Sequence, residues 1–121
     1  MLNVLVGNGD AHLKNWAICY PDGQRAVLSP TFDIVPTVLY LADDDMGLKL
    51  NGSRSFHDVT ARSFDRLARR AGWTEQAVRA RVREAVERVT GAWSVIADHL
   101  PADSSRRLVR HRDALPLVRG G

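Results

Sequence analysis

One stripe of apolar residues constrains this chain more than any other feature. Val78, Val82, Val86, Val89, Trp93, Ile96 and Leu100 recur at steps of three and four, which places them on one face of a helix over 75–99. Thr74 stands where an N-cap hydroxyl belongs, and Pro101 stops the run. A stripe of this length is stable only against apolar cover, so the rest of the chain must supply a packing partner. Part of that partner is a second helix expected over 56–71. Phe56, Val59, Phe64, Leu67, Ala68 and Ala71 fall near one face there, and Gly72 is placed to end it. A last, short helix starts at the cap candidate Asp103, carries Leu108 and Leu115, and stops before Pro116.

The first half has another texture. Residues 1–6 (MLNVLV) are almost wholly apolar and run into Gly7, Asn8 and Gly9, as a buried helix end or a strand would before a tight loop. Residues 16–20 (WAICY) and 26–28 are short strand-like runs joined by Pro21, Asp22, Gly23 and Gln24, which predicts a β-hairpin. Residues 30–41 mix β-branched side chains with Pro36, and periodicity leaves helix and strand both open beyond a loop that holds Asp33. Asp43, Asp44 and Asp45 read as a solvated acidic turn, and residues 46–50 as one short strand ending at Asn51 and Gly52. The fold class is therefore α+β and mostly helical, with one hairpin followed by amphipathic helices.

Composition removes several functions. The lone Cys19 can neither close an intramolecular disulfide nor build a zinc site of spaced cysteine pairs, which fits a reducing compartment. No apolar run approaches the roughly 20 residues that span a bilayer, and no signal-like start is present, so a cytoplasmic location without membrane contact is expected. The net charge of +3 is mostly dispersed arginine, with Arg62, Arg66, Arg69 and Arg70 sharing their segment with Asp58 and Asp65. Solvated helix faces explain that pattern better than a nucleic-acid stripe does.

The polar residues gather where a simple turn would not need them. Residues 7–15 read GNGDAHLKN, and a turn satisfied by Asn8 and Gly9 leaves Asp10, His12, Lys14 and Asn15 without a structural reason. Phosphoryl transfer to a hydroxyl supplies one, because it needs a carboxylate to take the acceptor's proton and oxygen ligands for the cations on the phosphates. Asp10 and Asn15 have the D-x-x-x-x-N spacing of a kinase catalytic loop. Asp33 follows the hairpin in residues 29–35 (SPTFDIV), where a kinase places its metal-binding Asp, although Ile34 and Val35 replace the usual Phe and Gly.

These residues resemble the C-terminal region of bacterial HipA-type toxin kinases, with their G-N/A-x-D-x-H-x-K-N loop, a hairpin and a P-x-Y/F-D-I/L segment. Residues 7–15 and 30–34 match both patterns, and residues 46–52 (MGLKLNG) look like the segment that follows. The resemblance implies a partial protein-kinase-like C-lobe over 1–121. Within it, 1–50 would hold the catalytic loop, hairpin and metal-binding segment, and 56–116 the helical part. It implies Asp10 as catalytic base, Asn15 as a magnesium ligand and Asp33 as the main one, with ATP as donor and a protein serine or threonine hydroxyl as acceptor. His12 could hold the loop and Lys14 could neutralise a phosphate, or both could be structural; Lys49 reads as structural. The implied partner is a helix-turn-helix antitoxin, with DNA reached only through it.

A chain of 121 residues is too short for two kinase lobes, and it has no glycine-rich phosphate loop followed by a lysine strand. The expectation is an N-terminally truncated kinase, inactive alone, with apolar surface left uncovered along 1–6 and on the Trp93 face. Two other readings stand beside it. One is a non-catalytic remnant that binds an antitoxin or nucleic acid; the other is a piece of a small-molecule phosphotransferase, which also uses an Asp-to-Asn loop and a later metal-binding Asp.

Overall fold

In the computed structural model, which describes residues 1–120, the apolar start becomes one turn of helix, α1 (Leu2–Leu5). Val4, Leu5 and Val6 are buried, and α1 packs on the long helix α3 (Glu75–Gly91). Around this contact the core gathers Phe56, Val59, Val82, Val86, Trp93 and Leu108. The apolar stripe thus finds its partner in the segment that leads directly into the glycine loop.

That stripe folds in two pieces rather than one. Helix α3 ends at Gly91, Ala92 turns to φ −96° and ψ 15°, and a short helix, α4 (Trp93–Ala97), resumes. Two local causes converge there. Glycine weakens the helix interior, and the Thr90 hydroxyl bonds back to the Val86 and Glu87 carbonyls at 2.8 and 3.1 Å. The N-terminal cap is as expected, with Thr74 Oγ1 accepting from the Ala77 amide at 3.3 Å.

The helix expected over 56–71 is mostly something else. Its first part forms two 3-10 turns, Phe56–Asp58 and Ala61–Phe64, and only α2 (Asp65–Arg70) is α-helical. Ser55 Oγ accepts from the His57 amide and Ser63 Oγ from the Thr60 amide, so hydroxyls compete for backbone groups that a continuous helix would use. Phe56, Val59, Ala61 and Ala68 are nevertheless buried, so the apolar face is real although the period is broken. Helix α5 (Ala102–Ala114) starts after Pro101 rather than at Asp103, which sits in its first turn, and it buries Leu108 completely.

The hairpin pairs β1 (Ile18–Cys19) with β2 (Val27–Leu28), with Ile18 opposite Leu28 and Cys19 opposite Val27. Asp22 Oδ1 accepts from the Gln24 and Arg25 amides at 3.0 and 2.7 Å, which closes the connection as an Asx turn. Residues 30–41 resolve into a loop and a 3-10 turn, Thr37–Leu39, against which α5 packs. The strand expected over 46–50 reduces to a single bridge between Leu50 and Ser53.

Exposed apolar surface lies elsewhere than expected. Trp93 is buried, and the Arg112 guanidinium covers its ring at 4.6 Å from the centroid, which removes the bare Trp93 face. Trp16, Ile18, Tyr20, Leu28 and Phe32, on the hairpin and the segment after it, are exposed, as are Leu13, Tyr40, Trp73 and, on α4 itself, Val95. Among the described residues no helix is long and apolar enough to cross a membrane.

Candidate active site

Helix α1 delivers the chain into the glycine loop with its backbone already fixed. The Gly9 amide donates to Thr37 Oγ1 at 2.6 Å, and that hydroxyl also contacts the Gly7 carbonyl oxygen, at 3.1 Å, and the Asp44 carboxylate. A Cβ on Gly9 would fall on the Asp44 carboxylate and the Asp45 carbonyl oxygen, and one on Gly47 would come within 2.7 Å of the Gly9 carbonyl oxygen. Only glycines allow so close an approach of the acidic turn to the loop. Asp44 is accordingly half-buried and bonded, so one carboxylate of the acidic turn braces the loop while Asp43 and Asp45 stay exposed.

Beyond Gly9 the side chains expected to carry chemistry are set in two pairs. Asp10 is exposed, and its Oδ1 lies 2.8 Å from His12 Nε2. Asn15, at the end of the 3-10 turn Leu13–Asn15, donates from Nδ2 to Asp33 Oδ2 at 3.0 Å, across eighteen residues of chain. His12, Asn15 and Asp33 share a cavity of about 140 Å³ whose apolar wall includes Trp16, Leu28 and Phe32. Asp10 is not among its lining residues; it reaches the cavity through His12. Lys14 is exposed on the same 3-10 turn.

Asp33 has φ 56°, in the left-handed region that few residues other than glycine, Asn and Asp adopt. Val35 stands at the glycine position of the kinase pattern, and the left-handed turn in this segment is thus taken by the aspartate itself. Its carbonyl oxygen accepts from Asn8 Nδ2 at 3.2 Å. Among the described residues no three His, Cys, Asp or Glu side chains gather as a metal cluster. The donor set is instead one carboxylate and one amide oxygen, both hard, with Asp33 exposed and Asn15 half-buried. That set fits magnesium, which keeps waters and takes one or two carboxylates plus substrate phosphates, and it does not fit a closed protein cage.

Several residues that shape the site lie outside the set expected to carry the proton and the cation. Asn8 is almost fully buried, Thr37 and Asp44 hold the loop from below, and His111 Nε2 lies 3.0 Å from the Val4 carbonyl oxygen beneath it. Burial pushes the His111 imidazole below the ordinary histidine value; the Val4 carbonyl opposes that, His57 adds to it and Asp44 opposes it. Asn8 fills the second position of the loop pattern, between two glycines, where a turn residue is the simpler reading.

Comparison with known proteins places the chain in a family. The family described as the HipA-like C-terminal domain matches residues 1–93. Two putative kinases of Sinorhizobium fredii, Y4dM and Y4mE, are 33% and 31% identical over 102 and 88 residues, covering 84% and 72% of the chain. The match spans only 25% and 21% of those relatives' own length. HipA from the Shewanella oneidensis MR-1 toxin–antitoxin system, solved with HipB and operator DNA, superposes with a TM-score of 0.71. At 17% identity, over 97% of this chain and 30% of that one, this shows a shared fold. The chain belongs to the HipA-like C-terminal domain family.

Proposed function

We propose that the chain carries the proton-accepting and magnesium-binding half of a HipA-type serine/threonine kinase, which transfers the γ-phosphoryl group of ATP to a protein hydroxyl. The observation that carries this reading is the contact between Asn15 and Asp33, which joins the D-x-x-x-x-N loop to the post-hairpin aspartate in one open cavity. Asp10 takes the proton of the attacking hydroxyl as its oxygen bonds to the γ-phosphorus and the bond to the β-phosphate oxygen breaks. His12, which lines the cavity, holds the Asp10 carboxylate at 2.8 Å. Asp33 and the Asn15 amide oxygen hold magnesium, which when bound neutralises charge on the phosphates. Lys14, exposed beside Asn15, is free to meet a phosphate oxygen.

The chain supplies no glycine-rich loop for the nucleotide, and ATP positioning accounts for much of the rate in such reactions, so the 121 residues are inactive by themselves. The solved relative's complex with HipB and operator DNA supports an antitoxin as protein partner, with DNA reached through it. The cytoplasm is the compartment that fits a single unpaired cysteine, Cys19.

Magnesium titration of the chain tests the cation site directly. Amide resonances of Asn15 and Asp33 shift saturably, and Asp33→Asn, which keeps the left-handed backbone, removes most of the shift while leaving the melting temperature nearly unchanged. Grafting residues 1–93 into the matching segment of the Sinorhizobium putative kinase tests the chemistry. Magnesium-dependent phosphorylation is expected there, and Asp10→Asn abolishes transfer with ATP binding retained. Loss of ATP binding together with transfer would assign Asp10 to the fold instead.

A further inference from the structure

Asn8 is 2% exposed, a burial that a side-chain amide tolerates only when its hydrogen bonds are made. Its Nδ2 donates to the Asp33 carbonyl oxygen at 3.2 Å and to Asn3 Oδ1 at 3.0 Å. Its Oδ1 accepts from the Asp10 amide at 3.1 Å. Both amide protons and the oxygen are thus engaged, with partners on α1, on the glycine loop and on the segment after the hairpin. Two of the three belong to the residues that carry the proton and the cation.

We infer that Asn8 is a positioning residue, which fixes the backbone of Asp10 against the backbone of Asp33 and anchors both to α1. Its purpose rests on the phosphotransfer reading above, but its geometry does not. The other link, from Asn15 to Asp33, runs between side chains that a cation would engage, so it must rearrange when Asp33 takes a metal. The Asn8 bonds go to main-chain atoms of Asp10 and Asp33 and leave both carboxylates free. They also help hold Asp33 in its left-handed conformation, because the carbonyl that Asn8 grips turns with that residue's backbone. Among the standard side chains, an amide of this length gives two donors and one acceptor in one plane. Alanine offers neither, and aspartate keeps the acceptor while losing both donors.

Nuclear magnetic resonance on the 121-residue chain tests this, first without metal. In the unsubstituted chain the Asn8 side-chain amide protons exchange slowly and show cross-relaxation to the Asp33–Ile34 backbone. Rapid exchange without such contacts overturns the inference, and no variant is needed for that arm. In Asn8→Ala the Asp10 amide exchanges faster by about tenfold or more, and the Asp33 coupling constant leaves its left-handed value. In Asn8→Asp the Asp33 change persists while the Asp10 amide stays protected. Magnesium affinity falls about tenfold in both variants, although Asn8 touches no cation. If Asp10 and Asp33 are unmoved in both folded variants, the residue does not position them. If the unsubstituted chain binds no magnesium yet the variants uncouple Asp10 from Asp33, the phosphotransfer reading fails and the tie stands.

Discussion

The loop region over 7–34 and the helical region over 65–114 are ordered by different forces. In the loops, regular structure is almost absent, and order comes from side chains that grip backbone: Asn8 on Asp10 and Asp33, Thr37 on Gly9, Asp22 on its own turn. In the helices, order comes from apolar burial, with Val82, Val86, Trp93 and Leu108 in one core and polar bonds mostly at the surface. A hydrogen bond is short-ranged and directional, so it sets where one atom lies. Burial is neither, and it sets only that the layer holds together. Site geometry and fold stability should therefore respond to different substitutions.

Leu108→Ala gives the largest effect. It empties a fully buried position on α5 and should cost about 2–5 kcal/mol in denaturant unfolding, taking loops and helices down together. Two separate transitions would show that the loops do not depend on the helical layer. Gly9→Ala comes next, at about 1–3 kcal/mol, because its methyl group meets the Asp45 backbone and not only a movable side chain. It should also displace Asp10 and weaken magnesium binding. Thr74→Ala removes a helix cap far from the loops. It should cost about 1 kcal/mol and leave magnesium affinity unchanged, which is the converse of Asp33→Asn.

The smallest effect is the pH dependence that His111 introduces at the boundary between the two regions. Its imidazole is held neutral in the fold by burial, so the unfolded chain takes up the proton first as pH falls. The stability His111 contributes is complete above its ordinary value of 6.5 and is lost as pH drops below it. Thermal melts at falling pH should therefore decline less steeply in His111→Gln than in the unsubstituted chain. Parallel declines would place the acid sensitivity in other groups.

The amount legible in the sequence also differs between the two regions. The buried faces of the helices were readable from spacing, since Val82, Val86 and Ala68 are buried where the stripes put them. Their boundaries were not, because the hydroxyls of Thr90, Ser55 and Ser63 break helices in ways that apolar periodicity does not record. In the loops the motif named the residues that could carry chemistry, and the meeting of Asn15 with Asp33 follows its order along the chain. The supports were hidden. Asn8, Thr37 and Asp44 act through contacts with residues 25, 28 and 7 positions away, and a single sequence holds no sign of such pairings.

The left-handed backbone of Asp33 has an evolutionary consequence. A residue at φ 56° can drift cheaply only to those that share this conformation, and asparagine and glycine are each one base change from an aspartate codon. Glutamate, which would keep the charge, carries the conformational penalty. Descendants of this chain that lose the carboxylate can therefore keep the loop's shape, and with it any binding that depends on shape alone. Selection can silence the proposed chemistry in one step while the folded surface survives.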